Sequence, residues 1–160
     1  MVLCQEKFNS FNSTSLMPLM SKNNMQIKLR PVSKSDYRFL FILLKNRDPK
    51  ANISHRMMPT YAEHIKFVNS KPYSKWYVIK YGRTKAGSIY LTSNNEIGIF
   101  ITKKMQGNNI GKNALNLLIK ENPKKRYLAN VNSKNCKSIK FFKKNGFRLI
   151  QHTYEFENHE

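Results

Sequence analysis

Gln106, Gly107, Asn109, Ile110, Gly111 and Lys112 fall within the run Thr102-Lys103-Lys104-Met105-Gln106-Gly107-Asn108-Asn109-Ile110-Gly111-Lys112-Asn113-Ala114-Leu115. Their types suit holding a phosphate on backbone amides, with an ordinary strand-to-helix connection as the alternative. Glycine and asparagine enter the left-handed region at low cost, so successive N–H groups can turn toward one point. A helix that starts at once adds its unpaired first amides and its positive dipole end. The spacing is neither the triphosphate loop closing in Gly-Lys-Ser/Thr nor the dinucleotide fingerprint G-x-G-x-x-G, which argues against nucleoside triphosphates and nicotinamide cofactors. For proton transfer the chain offers Glu96, one of only 9 acidic residues, and the isolated histidines His55 and His64. His64 is a candidate catalytic residue, with a partly buried structural role as its alternative.

These residues need a strand before the loop and a helix after it. Glu96 to Ile101 supplies the strand, and Ile110, Ala114, Leu117 and Leu118 recur at helical spacing until Pro123. Upstream, Ile27 to Val32 alternates like a first strand. Ser33 with Asp36 reads as an N-cap for a helix over about Lys34 to Lys45. Asn46 to Pro59 lacks periodicity and reads as a loop over a site. Thr60-x-x-Glu63 is a capping box for a second helix ending before Pro72. Trp76 to Tyr81, Lys85 to Leu91 and Glu96 to Ile101, separated by turn residues, form an antiparallel meander. Gly87 and Gly98 inside these strands mark a bulge or a close approach. Tyr127 to Val131 is a further strand, and Phe147 to Glu157 a closing hairpin.

Composition sets outer limits. A chain of 160 residues, 40% hydrophobic and 12% aromatic, suffices for one core and one domain. Residues 1–24 show no sustained period and read as a loose extension before a domain over 25–157. Two cysteines, Cys4 and Cys136, give neither a disulfide framework nor a metal-ligand spacing, so no metal is expected and a cytoplasmic location fits. No apolar run approaches the roughly 20 residues that span a bilayer, and Ser15 to Met20 is too short for a signal-peptide core. The net charge of +20 raises nucleic acid as a partner. It is not favoured, because aromatics do not interleave with the basic residues and no finger or basic-zipper spacing occurs.

The loop Gln106-Gly107-Asn108-Asn109-Ile110-Gly111 resembles the Q/R-x-x-G-x-G/A pyrophosphate loop of GNAT N-acetyltransferases, with Asn109 in place of the first glycine. A second motif, Asn135-Cys136-Lys137-Ser138-Ile139-Lys140-Phe141-Phe142-Lys143-Lys144-Asn145-Gly146-Phe147, resembles the family's N-x-x-S/A-x-x-x-Y-x-K-x-G-F. Here Phe142 replaces a tyrosine proposed to protonate the leaving thiolate. The resemblance covers about Gln26 to Glu157. It implies a single α/β (α+β) GNAT-like domain, a mixed and mostly antiparallel sheet flanked by about four helices, and acetyl-CoA as co-substrate. It places donor binding on Phe100, Ile101, Gln106, Gly107, Asn109, Ile110, Gly111 and Lys112, with Asn135 near the pantetheine; Asn135 also suits a helix cap.

Transfer to an ammonium acceptor requires a base, and Glu96, at the start of the strand where several family members use a carboxylate, is the first candidate, with a surface residue at a hairpin end as its alternative. The amide of Ile101 is a candidate oxyanion donor. The acceptor is expected to be a primary amine on a small molecule. His55 through Phe67 resembles, more loosely, the early region of GNAT enzymes that acetylate nucleotide-linked amino sugars. The alternatives are a protein N-terminal or ribosomal-protein amine, and a non-catalytic acyl-CoA or nucleic-acid binding module. A monomer or homodimer is expected.

Overall fold

In a computed structural model of the protein, residues 26–51, 57–154 and 156 are described. The expected extension over 1–24 and His55 lie outside these residues.

β1 (Ile27–Pro31), β2 (Lys75–Tyr81), β3 (Thr84–Leu91) and β4 (Ile97–Ile101) form one antiparallel sheet in the order β1-β2-β3-β4. The meander from β2 to β4 arises because the turns joining these strands are short. Strand parity sorts the side chains onto two faces. Leu29, Ile79, Ile89, Ile97 and Ile99 share one face through the pairs Leu29↔Ile79, Ile89↔Ile99 and Leu91↔Ile97. Helix α3 (Ile110–Glu121) covers it, burying Ile110, Ala114, Leu115 and Leu118 against the sheet. Burying such aliphatic side chains contributes about 1.5–3 kcal/mol each, enough to make this contact the main core.

The opposite face carries Val78, Ser88 and Phe100, and α1 (Tyr37–Lys45) and α2 (Tyr61–Asn69) serve it. Phe67 of α2 meets Trp76 of β2 edge-on at 6.2 Å, and the Trp76 Nε1 donates to Ser88 Oγ at 2.8 Å. Both helix starts follow the sequence. The Thr60 amide and hydroxyl donate to Glu63 Oε2 at 2.7 and 2.8 Å, while the Thr60 hydroxyl accepts from the Glu63 amide at 3.3 Å. Asp36 is fully buried and accepts from the Ser33 amide at 2.9 Å, from Arg30 at 2.6 Å and from Lys85 at 2.8 Å. Its carboxylate therefore ties β1, β3 and the start of α1 together.

The two glycines within strands have separate explanations. At Gly87 the ladder slips between Ile79 and Lys80, and a Cβ would lie 2.1 Å from Phe100 O. At Gly98 a Cβ would lie 2.0 Å from the ring of Tyr90, so glycine is required for that tyrosine to cross β4.

α4 (Cys136–Lys144) is the fourth α-helix among the described residues. The sheet departs from expectation in two places. Tyr127 to Val131 reduces to a parallel bridge between Glu96 and Leu128, which is the sheet's parallel element. The hairpin over 147–157 is not formed among the described residues, and Leu149, Ile150, Tyr154 and Phe156 are exposed. The reason is shared: the chain after α3 meets β4 at one bridge and then leaves it, so among the described residues no adjacent strand is present for a hairpin to join.

Candidate active site

That departure creates the site. Ile97 donates to Leu128 O at 2.8 Å and Leu128 donates to Asn95 O at 3.0 Å, after which the two segments part. Thr102 donates to Ala86 O and Thr92 to Glu96 O, so even-numbered residues of this strand face β3. By alternation Ile99 and Ile101 present their amides to the open edge.

A cavity of about 270 Å³ lies at the parting. Glu96 and Phe100 line it from the β4 side, Asn130 and Asn132 from the departing segment, Asn135 and Phe142 from α4, and Arg47, Tyr73 and Tyr90 from the helical face. Glu96 is half-buried and is held by Asn130 Nδ2 at 3.0 Å and by the Thr92 hydroxyl at 3.4 Å. Tyr73 and Tyr90 stack in parallel, with ring centroids 3.8 Å apart. Burial pushes the Tyr90 phenol up, against a hydrogen bond with Tyr73 and the nearby Arg47, so the phenol keeps its proton at neutral pH. Asn135 caps α4 by accepting from the Ser138 amide at 3.1 Å and also lines the cavity.

At the far end of β4, Gln106 Nε2 donates to Ile101 O at 3.1 Å and fastens the loop to the strand. Gly107 has φ +87° and Asn109 φ +56°, ψ +8°, both left-handed. Asn113 is the first amide of α3 to find a backbone acceptor, on Asn109 O at 3.0 Å. Among the described residues the amides of Gly107 through Lys112 donate to no backbone carbonyl, and the loop around them is exposed. This is the donor set an anion needs at a helix start. Gly111 brings α3 close to α4, since a Cβ there would lie 3.2 Å from the Phe141 ring. Ile110 offers only its amide, because its side chain is a core residue.

The candidates therefore collect on one strand and its two flanks, with Glu96, Phe100 and Asn135 at the cavity and Gln106 to Lys112 in the loop beyond Ile101. His64 is the exception, placed apart from the others. It is 4% exposed in the α1–α2 contact, with the rings of Phe41 and Tyr61 at 5.4 and 6.5 Å, and does not line the cavity. Burial pushes its imidazole below the ordinary value, against a backbone hydrogen bond at Tyr37. Both effects belong to a ring packed between the two helices. Arg47, Tyr73 and Tyr90 are cavity residues that sequence reasoning missed; Gly98, which makes room for Tyr90, was the available signal.

An open strand edge leading into a loop of free amides, with a carboxylate-bearing cavity on its flank, suits transfer of an acetyl group from acetyl-CoA to an amine, and the family match makes the protein an acetyl-CoA-dependent N-acetyltransferase. The model of the acetyltransferase (GNAT) family matches residues 40–147, and the chain belongs to that family. Solved structures share the fold. A domain from Methanocaldococcus jannaschii DSM 2661 is 23% identical with a TM-score of 0.69, covering 81% of this chain and 93% of its own. The spermidine N-acetyltransferase of Vibrio cholerae, in complex with CoA and spermine, is 20% identical with a TM-score of 0.68, covering 81% and 85%. An acetyltransferase from Thermus thermophilus is 19% identical with a TM-score of 0.63, covering 78% and 88%. Comparison with curated proteins finds no significant match. Among the described residues no three His, Cys, Asp or Glu side chains group as a metal site, and no helix is long and apolar enough to cross a membrane.

Proposed function

We propose that the protein acetylates the primary amine of a small acceptor, with a nucleotide-linked amino sugar as the favoured class. The observation that carries the reading is the continuity of the open β4 edge with the free amides of Gly107 through Lys112. Those amides and the Lys112 ammonium take the donor's pyrophosphate. The amides of Ile99 and Ile101 hold the donor's extended arm and are positioned to polarise a carbonyl lying along the edge. Acetyl-CoA supplies the thioester. Glu96, held by Asn130, accepts the ammonium proton directly or through one water, leaving the amine free to attack. Phe142 cannot protonate the departing thiolate, so CoA leaves as the thiolate or takes its proton from one of the hydroxyls lining the cavity, those of Tyr73, Tyr90, Thr92 and Ser138.

The spermidine N-acetyltransferase neighbours favour a second reading, a polyamine acceptor, with Glu96 as the carboxylate facing it. Thiol release from acetyl-CoA, followed across a panel of amines with product masses, tests both. Glu96→Gln should depress turnover chiefly on the acidic side of the pH profile and recover as pH nears the acceptor amine's own pKa. CoA affinity should stay within a few-fold. Unchanged turnover at every pH would remove Glu96 from the reaction.

A further inference from the structure

The cavity holds a cation that acetyl transfer does not require. Arg47 follows α1, and its guanidinium lies over the Phe100 ring with Cζ 4.3 Å from the centroid. Nη2 donates to Ala51 O, and Nε is buried without a partner. Among the described residues no carboxylate lies within ion-pairing distance of it. The groups facing it electrostatically are the phenols of Tyr73 and Tyr90, while burial pulls its pKa down. Glu96 is engaged by Asn130 and Thr92 instead. A guanidinium withdrawn from water with no counter-ion among the described residues is costly, and its planar fork fits carboxylate or phosphate oxygens through two parallel bonds.

We infer that Arg47 anchors the acceptor, and that the cavity takes an amine carrying an anionic oxygen group, a carboxylate or a phosphate. The anion sits on the Arg47 fork while the amine points toward Glu96. This rests on the acetyltransferase reading and narrows its substrate. A polyamine is the wrong occupant, because it would bring ammonium groups against a fixed guanidinium in a site of low dielectric. The donor's phosphates have their own seat in this reading, since Gly107 through Lys112 follow Ile101 and do not line the cavity.

The test compares matched primary amines in the acetyl-transfer assay. One arm sets an amino acid against its primary amide, a second sets an amino-sugar phosphate against the unphosphorylated sugar, and spermidine serves as the polycation. In at least one arm the anionic member should lead by about 30-fold or more in kcat/KM, which also tells carboxylate from phosphate. Arg47→Met, which keeps the apolar cover on Phe100, should bring that ratio near one through KM, and Arg47→Lys should restore part of it. A wild-type preference for spermidine or for the neutral members would overturn the inference. So would equal losses for both members in Arg47→Met, which would make Arg47 a packing residue. Absence of transfer to every amine would instead sink the acetyltransferase reading. Titration of the CoA-loaded protein with the two members of each pair then decides the anion site alone, and equal affinity in both pairs would overturn it.

Discussion

At the scale of single residues, Asn109 is the clearest test of the donor loop. It stands in the left-handed region at φ +56°, next to a stretch of free amides. Only glycine tolerates that region better, so Asn109→Gly should keep CoA affinity. A β-branched side chain there is strained by roughly 1–3 kcal/mol. Asn109→Val should accordingly weaken CoA about five- to a hundredfold. Acetyl-pantetheine, which lacks the pyrophosphate, is the control, and calorimetric titration should show it almost indifferent to either change. Equal losses for both ligands would place the phosphates elsewhere. The left-handed turn was legible because it is a property of a few adjacent residues and the glycines and asparagines that permit it. Arg47 was not legible. It lies at the start of a stretch without periodicity, and its role depends on Phe100, Tyr73 and Tyr90, which come to it through space. His64 shows the opposite case, since its chemistry suggested a role while the fold buries it beside two aromatic rings and away from the cavity.

At the scale of elements, short-range rules worked where the partner was close in sequence. The capping box at Thr60, the meander from β2 to β4 and the stop of α4 at Gly146, φ +85°, all involve residues within one or two turns of each other. The closing hairpin over 147–157 shows the limit. Alternation can be read from a sequence, but a strand also needs a neighbour, and here the segment beside β4 diverges after Leu128. Asp36 shows what holds the elements that do form. Burial alone would raise its carboxyl, yet hydrogen bonds from Arg30, Lys85 and Ser33 together hold it well below the usual carboxylate range. The folded pKa thus lies under the unfolded value of about 4, so the contribution is present above pH 4 and is lost as pH falls toward the folded value. Asp36→Asn leaves two cations without their shared carboxylate. It should cost about 2–4 kcal/mol, below the range for a fully buried pair because Arg30 and Lys85 are partly exposed. Melting temperature should fall by roughly 5–12 °C at pH 7, with a smaller deficit at pH 3. Equal deficits at both values would mean that charge is not what Asp36 contributes.

At the scale of the whole molecule the excess of 29 basic over 9 acidic residues has to act over a distance, since few of those charges touch the site. Lys103, Lys104 and Lys112 are exposed around the donor loop, while Lys28 and Lys34 are exposed by β1, at the other edge of the sheet. Four strands about 4.8 Å apart separate these edges by roughly 15 Å. The Debye length is about 10 Å at 0.1 M salt and about 30 Å at 0.01 M, so the far edge is screened from the donor at the first and felt at the second. Donor phosphates drawn in by this field should associate more slowly as salt rises, whereas uncharged acetyl-pantetheine should not respond. Reversing Lys103 and Lys104 to Glu changes the net charge as much as reversing Lys28 and Lys34. Stopped-flow association of CoA should distinguish them, with both pairs slowing binding at 0.01 M salt and chiefly the loop pair slowing it at 0.1 M. Equal effects of the two pairs at 0.1 M would assign the rate to net charge. No effect of either at 0.01 M would leave the basic surface without a part in donor capture.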